Sequence, residues 1–96
     1  MTQQVRSILE QLRNGRINRA LFTGYANSYF SETALKDCRT LSKLGKLQSV
    51  TRSTESERGD MIHRTYRAQF EKKMVLLNIY VTRDGKYEQF LVMNQL

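Results

Sequence analysis

The stretch MVLLNIYVTRDGKYEQFLVM, residues 74–93, decides the fold. Two mostly apolar runs, residues 74–82 and 87–93, flank the tetrapeptide RDGK. Runs of this kind predict β-strands, and Asp84-Gly85 between them favours a two-residue type I′ hairpin turn. This turn also predicts how the two strands pair. The predicted pairs are Arg83–Lys86, Val81–Glu88, Ile79–Phe90 and Leu77–Val92.

Two further strands precede this hairpin in the sequence. MIHRTYRAQF, residues 61–70, is a strand, and the polar, β-branched LQSVTRSTESE, residues 47–57, is typical of an exposed edge strand. Gly59-Asp60 between them favours a type II′ turn, and a loop around Lys72-Lys73 leads to the next strand. The predicted pairs are Arg58–Met61, Glu55–Arg64, Ser53–Tyr66, Phe70–Val75, Tyr66–Ile79 and Arg64–Val81.

One face of this four-stranded antiparallel meander is predicted to carry the core. The alternate residues from Val75 to Val81 are more apolar than those from Met74 to Tyr80, which should face away from the core. The predicted rows on the core face are Thr51–Ala68–Leu77–Val92, Ser53–Tyr66–Ile79–Phe90 and Glu55–Arg64–Val81–Glu88. A slip of one residue would exchange the two faces.

The N-terminal half has a helical period. Apolar residues recur there every three to four positions, which predicts amphipathic helices. The three predicted buried stripes are Val5, Ile8, Leu9 and Leu12; Phe22, Ala26, Tyr29 and Phe30; and Ala34, Leu35, Cys38 and Leu41. Ser31 should cap the third helix, which should end at Leu44-Gly45. The chain is therefore predicted to be one α+β domain, residues 1–96, with helices at about 3–45 packed on one face of a curved sheet at about 47–93.

Composition excludes some classes of protein. One cysteine, Cys38, cannot form an internal disulfide, and no apolar run is long enough to span a bilayer. The N-terminal residues lack the apolar core of a signal peptide, so a periplasmic or secreted location is expected only if the chain is part of a longer protein. The formal net charge of +7 is spread along the sequence without a basic block. A basic balance favours an anionic partner, although a solvated basic surface is the simpler interpretation.

Arg64 is the most informative side chain on the predicted core face. The predicted register places it between the carboxylates of Glu55 and Glu88, next to Tyr66. This cluster is either a ligand site at the mouth of a pocket between helices and sheet, or an ion pair that closes one end of the core. An arginine that is half-buried needs partners, because an unpaired buried charge is costly.

The opposite face of the sheet is a candidate interaction surface. It should carry Leu76, Tyr80, Leu91 and Met93 on two adjacent strands, which favours docking over scattered surface hydrophobes. The only histidine, His63, should lie on this face beside Ser56 and Thr82. A histidine and a cysteine without further ligand residues nearby in the sequence do not predict a metal site, and Cys38 is expected to serve packing.

Several segments together resemble a known domain. LRNGRINRALFTGYANSYFSETAL, LSKLGK, SERGDMIHRTYRAQF and TRDGKYEQFLV are similar to the small C-terminal domain of bacterial serine hydrolases of the class C β-lactamase and penicillin-binding type. The most specific matches are the Leu-Gly after the third helix, Arg58, Gly59, Met61, Arg64, Tyr66, the Asp84-Gly85-Lys86 turn and Glu88-Gln89. Asp60 stands where that family usually has a second glycine. The resemblance implies a cystatin-like, nuclear-transport-factor-like fold and an accessory role, with the chemistry in the hydrolase domain.

The chain also contains Arg58-Gly59-Asp60, the tripeptide that integrins recognise. The predicted turn at Gly59-Asp60 explains the tripeptide structurally, so it does not indicate an integrin ligand.

Two functional hypotheses follow. The first is a non-catalytic interaction domain that binds a serine hydrolase domain or a second copy of itself, with a small-ligand pocket as an option. The second is a free-standing small-molecule binder or small enzyme that uses Arg64, Tyr66 and Glu88. The serine hydrolase signatures Ser-x-x-Lys and Lys-Thr-Gly are absent from the sequence, and no cofactor is expected. No zinc finger or Gly-rich phosphate loop is present, so nucleic-acid binding is not favoured.

Overall fold

Three short helices cover one face of a four-stranded antiparallel sheet in the computed structural model, which describes residues 2–94. The α-helices are α1 (Thr2–Arg13), α2 (Gly24–Tyr29) and α3 (Glu32–Cys38), and two 3₁₀ segments span Arg19–Leu21 and Arg39–Leu44. The strands are β1 (Leu47–Arg58), β2 (Met61–Phe70), β3 (Met74–Val81) and β4 (Tyr87–Asn94), in the order β1-β2-β3-β4. The α+β prediction is confirmed.

The core lies between α1 and the sheet. The alternating pattern of β3 places Val75, Leu77 and Ile79 on this face with no exposed area, and Val81 with 3%. The stripe predicted for the first helix, Val5, Ile8, Leu9 and Leu12, is also fully buried. Burial of each large aliphatic side chain contributes about 1.5–3 kcal/mol, so these eight residues of α1 and β3 contribute strongly to stability.

The segment predicted as one second helix is broken at Phe22-Thr23. Thr23 donates its N–H to the carbonyl of Tyr87 at 3.0 Å, and Phe22 forms a short parallel bridge with Tyr87. The Thr23 side chain then caps α2 by accepting from the N–H of Ala26. Because the break resets the helical phase, Tyr29 is 60% exposed and its placement in the core was wrong.

The third helix changes type before it ends. Ser31 caps α3 as predicted, by accepting from the N–H of Ala34 at 3.2 Å. The helix becomes 3₁₀ after Cys38 and terminates at Gly45, which has a φ of 86°. Of the predicted stripe Leu41 is buried, whereas Ala34, Leu35 and Cys38 are half-buried.

The β2–β3 register differs from the prediction by two residues. Ala68, not Phe70, lies opposite Val75, so Tyr66 faces Leu77 and Arg64 faces Ile79. The turn is shorter than expected, since Phe70 donates to the carbonyl of Lys73 at 2.9 Å across Glu71-Lys72. A shift of two residues keeps every side chain on its predicted face.

The β3–β4 turn, in contrast, is longer than the predicted type I′ turn. Gly85 donates to the carbonyl of Thr82 at 3.0 Å and has a φ of 86°, whereas Asp84 does not have a positive φ. A bulge follows, so Val81 lies opposite Tyr87 and not Glu88, while the predicted pairs Ile79–Phe90 and Leu77–Val92 are confirmed. The left-handed residue is thus the glycine that ends the turn.

The β1–β2 hairpin follows its predicted register only near the turn. Arg58 pairs with Met61 across Gly59-Asp60, and Glu55 pairs with Arg64. A bulge between Arg52 and Thr54 then places Arg52, not Ser53, opposite Tyr66. A second bulge, between Leu47 and Ser49, shifts the pairing by one more residue, so Leu47 lies opposite Phe70. The pair predicted for Thr51 is displaced as well, because Ala68 pairs with Val50.

Gly45 offers a direct test of the junction between helices and sheet. A Cβ at this position would lie 2.7 Å from Oε1 and 2.8 Å from Cβ of Glu71. We expect Gly45→Ala to lower the free energy of unfolding by about 1–3 kcal/mol, because it adds a left-handed alanine and a steric clash. Urea denaturation measures this loss.

Gly24→Ala is the matched control. Gly24 begins α2 without a positive φ, and a Cβ added there would have no atom within 4 Å beyond its own helix and chain neighbours. Alanine there should be neutral or stabilise by up to about 1 kcal/mol. Equal losses in the two variants would contradict the role assigned to Gly45.

Candidate functional site

Glu55 and Arg64 form the centre of the site, as predicted. They are partners across β1 and β2, and Arg64 donates through Nε to Glu55 Oε1 at 2.6 Å. Arg52 donates to the same oxygen at 3.2 Å. The Arg64 side chain is only 12% exposed, while that of Glu55 is 42% exposed. The hydrogen bond from Arg64 lowers the pKa of the Glu55 carboxyl, and the charges of Arg64 and Arg52 lower it further.

Two polar atoms beside this ion pair have no hydrogen-bond partner among residues 2–94. They are Nη1 of Arg64 and the hydroxyl of Tyr66, a residue with only 1% of its surface exposed. Burial raises the pKa of Tyr66, although the neighbouring Arg64 guanidinium acts in the opposite direction. The Tyr66 hydroxyl and the Arg64 guanidinium are therefore close enough to interact.

Tyr87 lies next to these groups and was missed by the sequence analysis as a site residue. Its hydroxyl donates to Gln4 Oε1 of α1 at 2.7 Å. Burial raises the pKa of Tyr87 to about 12, with a further contribution from Tyr66. The first turn of α1 thus contacts the polar end of the core, which the sequence could not indicate because residues 4 and 87 are far apart in the chain.

Glu88 does not belong to the Arg64 cluster, contrary to the predicted row. The register shift and the β4 bulge place Ile79 and then Phe90 in the row of Arg64, and no ion pair joins Arg64 to Glu88 within residues 2–94. Glu88 lines a small hollow between α2 and β4 instead. The predicted set of four residues therefore separates into a cluster of three, Glu55, Arg64 and Tyr66, and Glu88, which lines the hollow.

The hollow beside Glu88 is apolar and small. Its volume is about 110 Å³, below the roughly 300 Å³ at which drug-sized ligands are usually bound. Tyr25 and Tyr29 line it with 72% and 60% of their surface exposed. Leu91 lines it from the sheet. Such a hollow fits one side chain of a partner rather than a metabolite.

The face of the sheet opposite the helices carries the predicted apolar residues, all half-buried. Leu76 lies directly opposite Met93, and Leu91 is opposite Asn78 on the same two strands. Tyr80 lies on the same face, opposite His63 of β2. We call Leu76, Tyr80, Leu91 and Met93 the open face. Leu91 connects the open face to the hollow beside α2.

A polar chain crosses the sheet next to the open face. His63 Nε2 makes a short hydrogen bond to Asn78 Oδ1, and Asn78 donates to Gln89 Oε1 at 3.4 Å. The imidazole also stacks on Tyr80 with ring centroids 4.6 Å apart. His63 lies opposite Ser56 as predicted. These contacts hold the imidazole against the sheet.

The remaining residues singled out by the sequence serve structure. Cys38 is half-buried, and burial followed by the charge of Asp37 raises the pKa of its thiol, which disfavours the reactive thiolate. Asp60 lies in the β1–β2 turn, with its carboxylate 3.4 Å from the Arg83 guanidinium. Within residues 2–94 no group of three or more His, Cys, Asp or Glu side chains could hold a metal ion. A helix that is long and apolar enough to cross a bilayer is not found in this part of the chain either.

Comparisons with known proteins found no match to this chain among protein-family models, curated proteins or solved structures. The described residues form an α+β domain in which one face of the sheet is covered by none of their helices. The resemblance to the C-terminal domain of serine hydrolases stays a prediction.

The lowered pKa of Glu55 generates a pH-dependent prediction. A carboxyl whose pKa is lower in the folded state stabilises the fold fully above its ordinary pKa of 4.5, and this stabilisation is lost as the pH falls through the folded-state pKa. We therefore expect wild type to be more stable than Glu55→Gln at neutral pH, with the difference shrinking below about pH 4.5. Chemical denaturation over a series of pH values measures it.

Glu57→Gln is the matched control, since Glu57 lies on the same exposed strand and forms no ion pair within residues 2–94. The difference in the free energy of unfolding between Glu57→Gln and wild type should vary less with pH. If both variants follow the same pH dependence, the ion pair with Arg64 is not its source.

Proposed function

We propose that this chain is a non-catalytic accessory domain of a bacterial serine hydrolase, with a cystatin-like fold. In this proposal it docks through the open face onto the hydrolase domain or onto a second copy of itself. The sequence resemblance supports the choice of a hydrolase as the partner, and the grouping of apolar residues on the open face supports docking there.

The arrangement of the open face is the observation that carries this proposal. Its four apolar residues lie on the two adjacent strands β3 and β4, on the side of the sheet that no helix of residues 2–94 covers. Through Leu91 the surface continues to the exposed rings of Tyr25 and Tyr29. Contiguous apolar surface with aromatic residues at its edge is typical of protein interaction sites.

In this proposal, the polar chain of His63, Asn78 and Gln89 helps to determine how a partner is oriented on the open face. Partly buried amide and imidazole groups beside apolar residues can pair with a partner's polar groups and so select its orientation. On the β1 side the same face becomes polar, where Thr54 and Thr65 hydroxyls share a hydrogen bond of 2.6 Å. The surface that can exclude water is therefore centred on β3 and β4.

Leu91→Asp tests the docking proposal. A carboxylate there would be desolvated in any complex that covers the open face, so we expect binding to weaken by at least about tenfold, equivalent to about 1.4 kcal/mol. The measurement is light scattering coupled to size-exclusion chromatography, on the chain alone and mixed with a serine hydrolase domain encoded by the same or a neighbouring gene.

Thr51→Asp is the control, because Thr51 is exposed on β1 and pairs with Arg67, on the polar side of the same face. It adds the same charge and should leave binding intact. A wild-type chain that is strictly monomeric and does not bind the hydrolase domain would refute the proposal.

A second candidate function is binding of a small anion at Arg64 and Tyr66. The specific observation in its favour is that two buried donors, Arg64 Nη1 and the Tyr66 hydroxyl, lack partners within residues 2–94. Both can donate to a carboxylate or a similar oxyanion. The alternative is that Arg64 and Tyr66 have only a structural role, with Arg64 in its ion pair with Glu55.

A pair of tyrosine variants distinguishes these alternatives. If the site binds anions, acetate or phosphate raises the stability of wild type in proportion to occupancy, and Tyr66→Phe reduces that rise at little cost to the anion-free protein. Tyr87→Phe removes the hydrogen bond to Gln4 and should cost about 1 kcal/mol while retaining the response to anions. Thermal unfolding with added anions measures both effects, and a flat wild-type titration ends this candidate.

A further inference from the structure

Half of the basic side chains, eight of sixteen, lie at one end of the molecule, although they are spread along the sequence. Lys72 donates its N–H to the carbonyl of Leu44 at 2.9 Å, and Glu71 donates to the carbonyl of Lys46 at 3.0 Å. Arg13 donates through Nη2 to the carbonyl of Gly45 at 2.9 Å. These bonds join the end of α1, the 3₁₀ segment before β1 and the β2–β3 turn, and we call this region the basic end.

The side chain of Arg39 belongs to the same region. A Cβ on Gly15 would lie 2.8 Å from the Cγ and Cδ of Arg39, so the arginine stem packs over the turn after α1. Arg39 also borders a shallow surface depression together with Lys36 and Lys43. The cations of three chain segments are therefore neighbours on one surface.

The charge of the molecule is strongly polarised as a result. The basic end carries eight cations, Arg13, Arg16, Lys36, Arg39, Lys43, Lys46, Lys72 and Lys73, and three acidic groups, Glu10, Asp37 and Glu71. The excess of five positive charges accounts for most of the formal net charge of +7. At the opposite end, the two hairpin turns carry three cations, Arg58, Arg83 and Lys86, balanced by Glu57, Asp60 and Asp84.

Most cations of the basic end are free to meet a partner. Only Arg13 forms an ion pair there within residues 2–94, with Glu10 at 3.0 Å. Glu71 accepts instead from the backbone N–H of Lys46 at 2.7 Å. Lys36, Lys43 and Lys72 are exposed. Like charges held this close repel one another, which an anionic partner would relieve.

The composition of the basic end selects among anionic partners. Five of its eight cations are lysine, a residue depleted in protein interfaces, whereas specific phosphate recognition in nucleic acids favours the bidentate arginine. Its three segments, residues 10–16, 36–46 and 71–73, contain no aromatic residue on which a base could stack. Clustered lysines that need no fixed partner geometry instead suit a diffuse layer of negative charge.

We infer that the basic end binds the surface of a membrane rich in anionic lipids. Nothing in the three segments is apolar and exposed enough to insert, so the attachment is electrostatic and reversible. The basic end lies at the β2–β3 turn, whereas the open face lies across β3 and β4. The basic end and the open face consist of different side chains, so membrane attachment does not depend on the docking function proposed above.

Vesicle co-sedimentation tests this inference with the purified chain. We expect it to sediment with vesicles of phosphatidylcholine and phosphatidylglycerol but not with phosphatidylcholine alone, and to be released by salt. Lys43→Glu combined with Lys72→Glu should lower the partition coefficient at least ~30-fold, because each basic residue near an anionic surface contributes about a fivefold factor. Circular dichroism confirms that the variant is folded.

The matched control is Arg58→Glu combined with Lys86→Glu at the opposite end. This pair changes the net charge by the same amount and should retain most of the binding. Equal losses in the two double variants would mean that net charge alone drives association, and would overturn the inference. So would a lack of binding to anionic vesicles, or tighter binding to a DNA or RNA oligonucleotide at the same salt concentration.

Discussion

The structure depends on the burial of one face of β3 in the core that it shares with α1. Val75, Leu77 and Ile79 have no exposed area, and the α1 residues of the same core are buried to the same extent. Within residues 2–94 the helices contribute to the core on this side of the sheet, so the described part of the chain leaves the other face uncovered. This one-sided packing places the Arg64 cluster at an end of the core and leaves the open face available for a partner.

The register of the sheet determines which polar side chains meet. Glu55 reaches Arg64 because the β1–β2 hairpin pairs them directly across its turn. Glu88 does not, because a two-residue shift on one side of β3 and a bulge on the other move it out of the row. The cluster consequently contains one carboxylate and not two, and its unsatisfied atoms, Arg64 Nη1 and the Tyr66 hydroxyl, can both donate a hydrogen bond.

The tertiary structure also determines how the positive charges are distributed in space. In the sequence, the cations are distributed over both halves without a basic block. Hydrogen bonds between the β2–β3 turn and the segment before β1 bring them to one end, while the hairpin turns at the other end are balanced. A field that is weak when averaged over the chain becomes concentrated on one surface.

The sequence by itself determined the order of helical and β segments, the buried stripe of α1 and the buried faces of β2 and β3, because periodicity is a local property of the chain. The open face and the Glu55–Arg64 pair could be predicted for the same reason. Only the tertiary structure decided the register, since a strand that slips by two residues keeps its alternation, and a bulge leaves little trace in the pattern. The helix break at Phe22-Thr23, the hydrogen bond between Tyr87 and Gln4, and the basic end all rest on contacts between distant segments. Such contacts depend on how the elements pack, which no local pattern records.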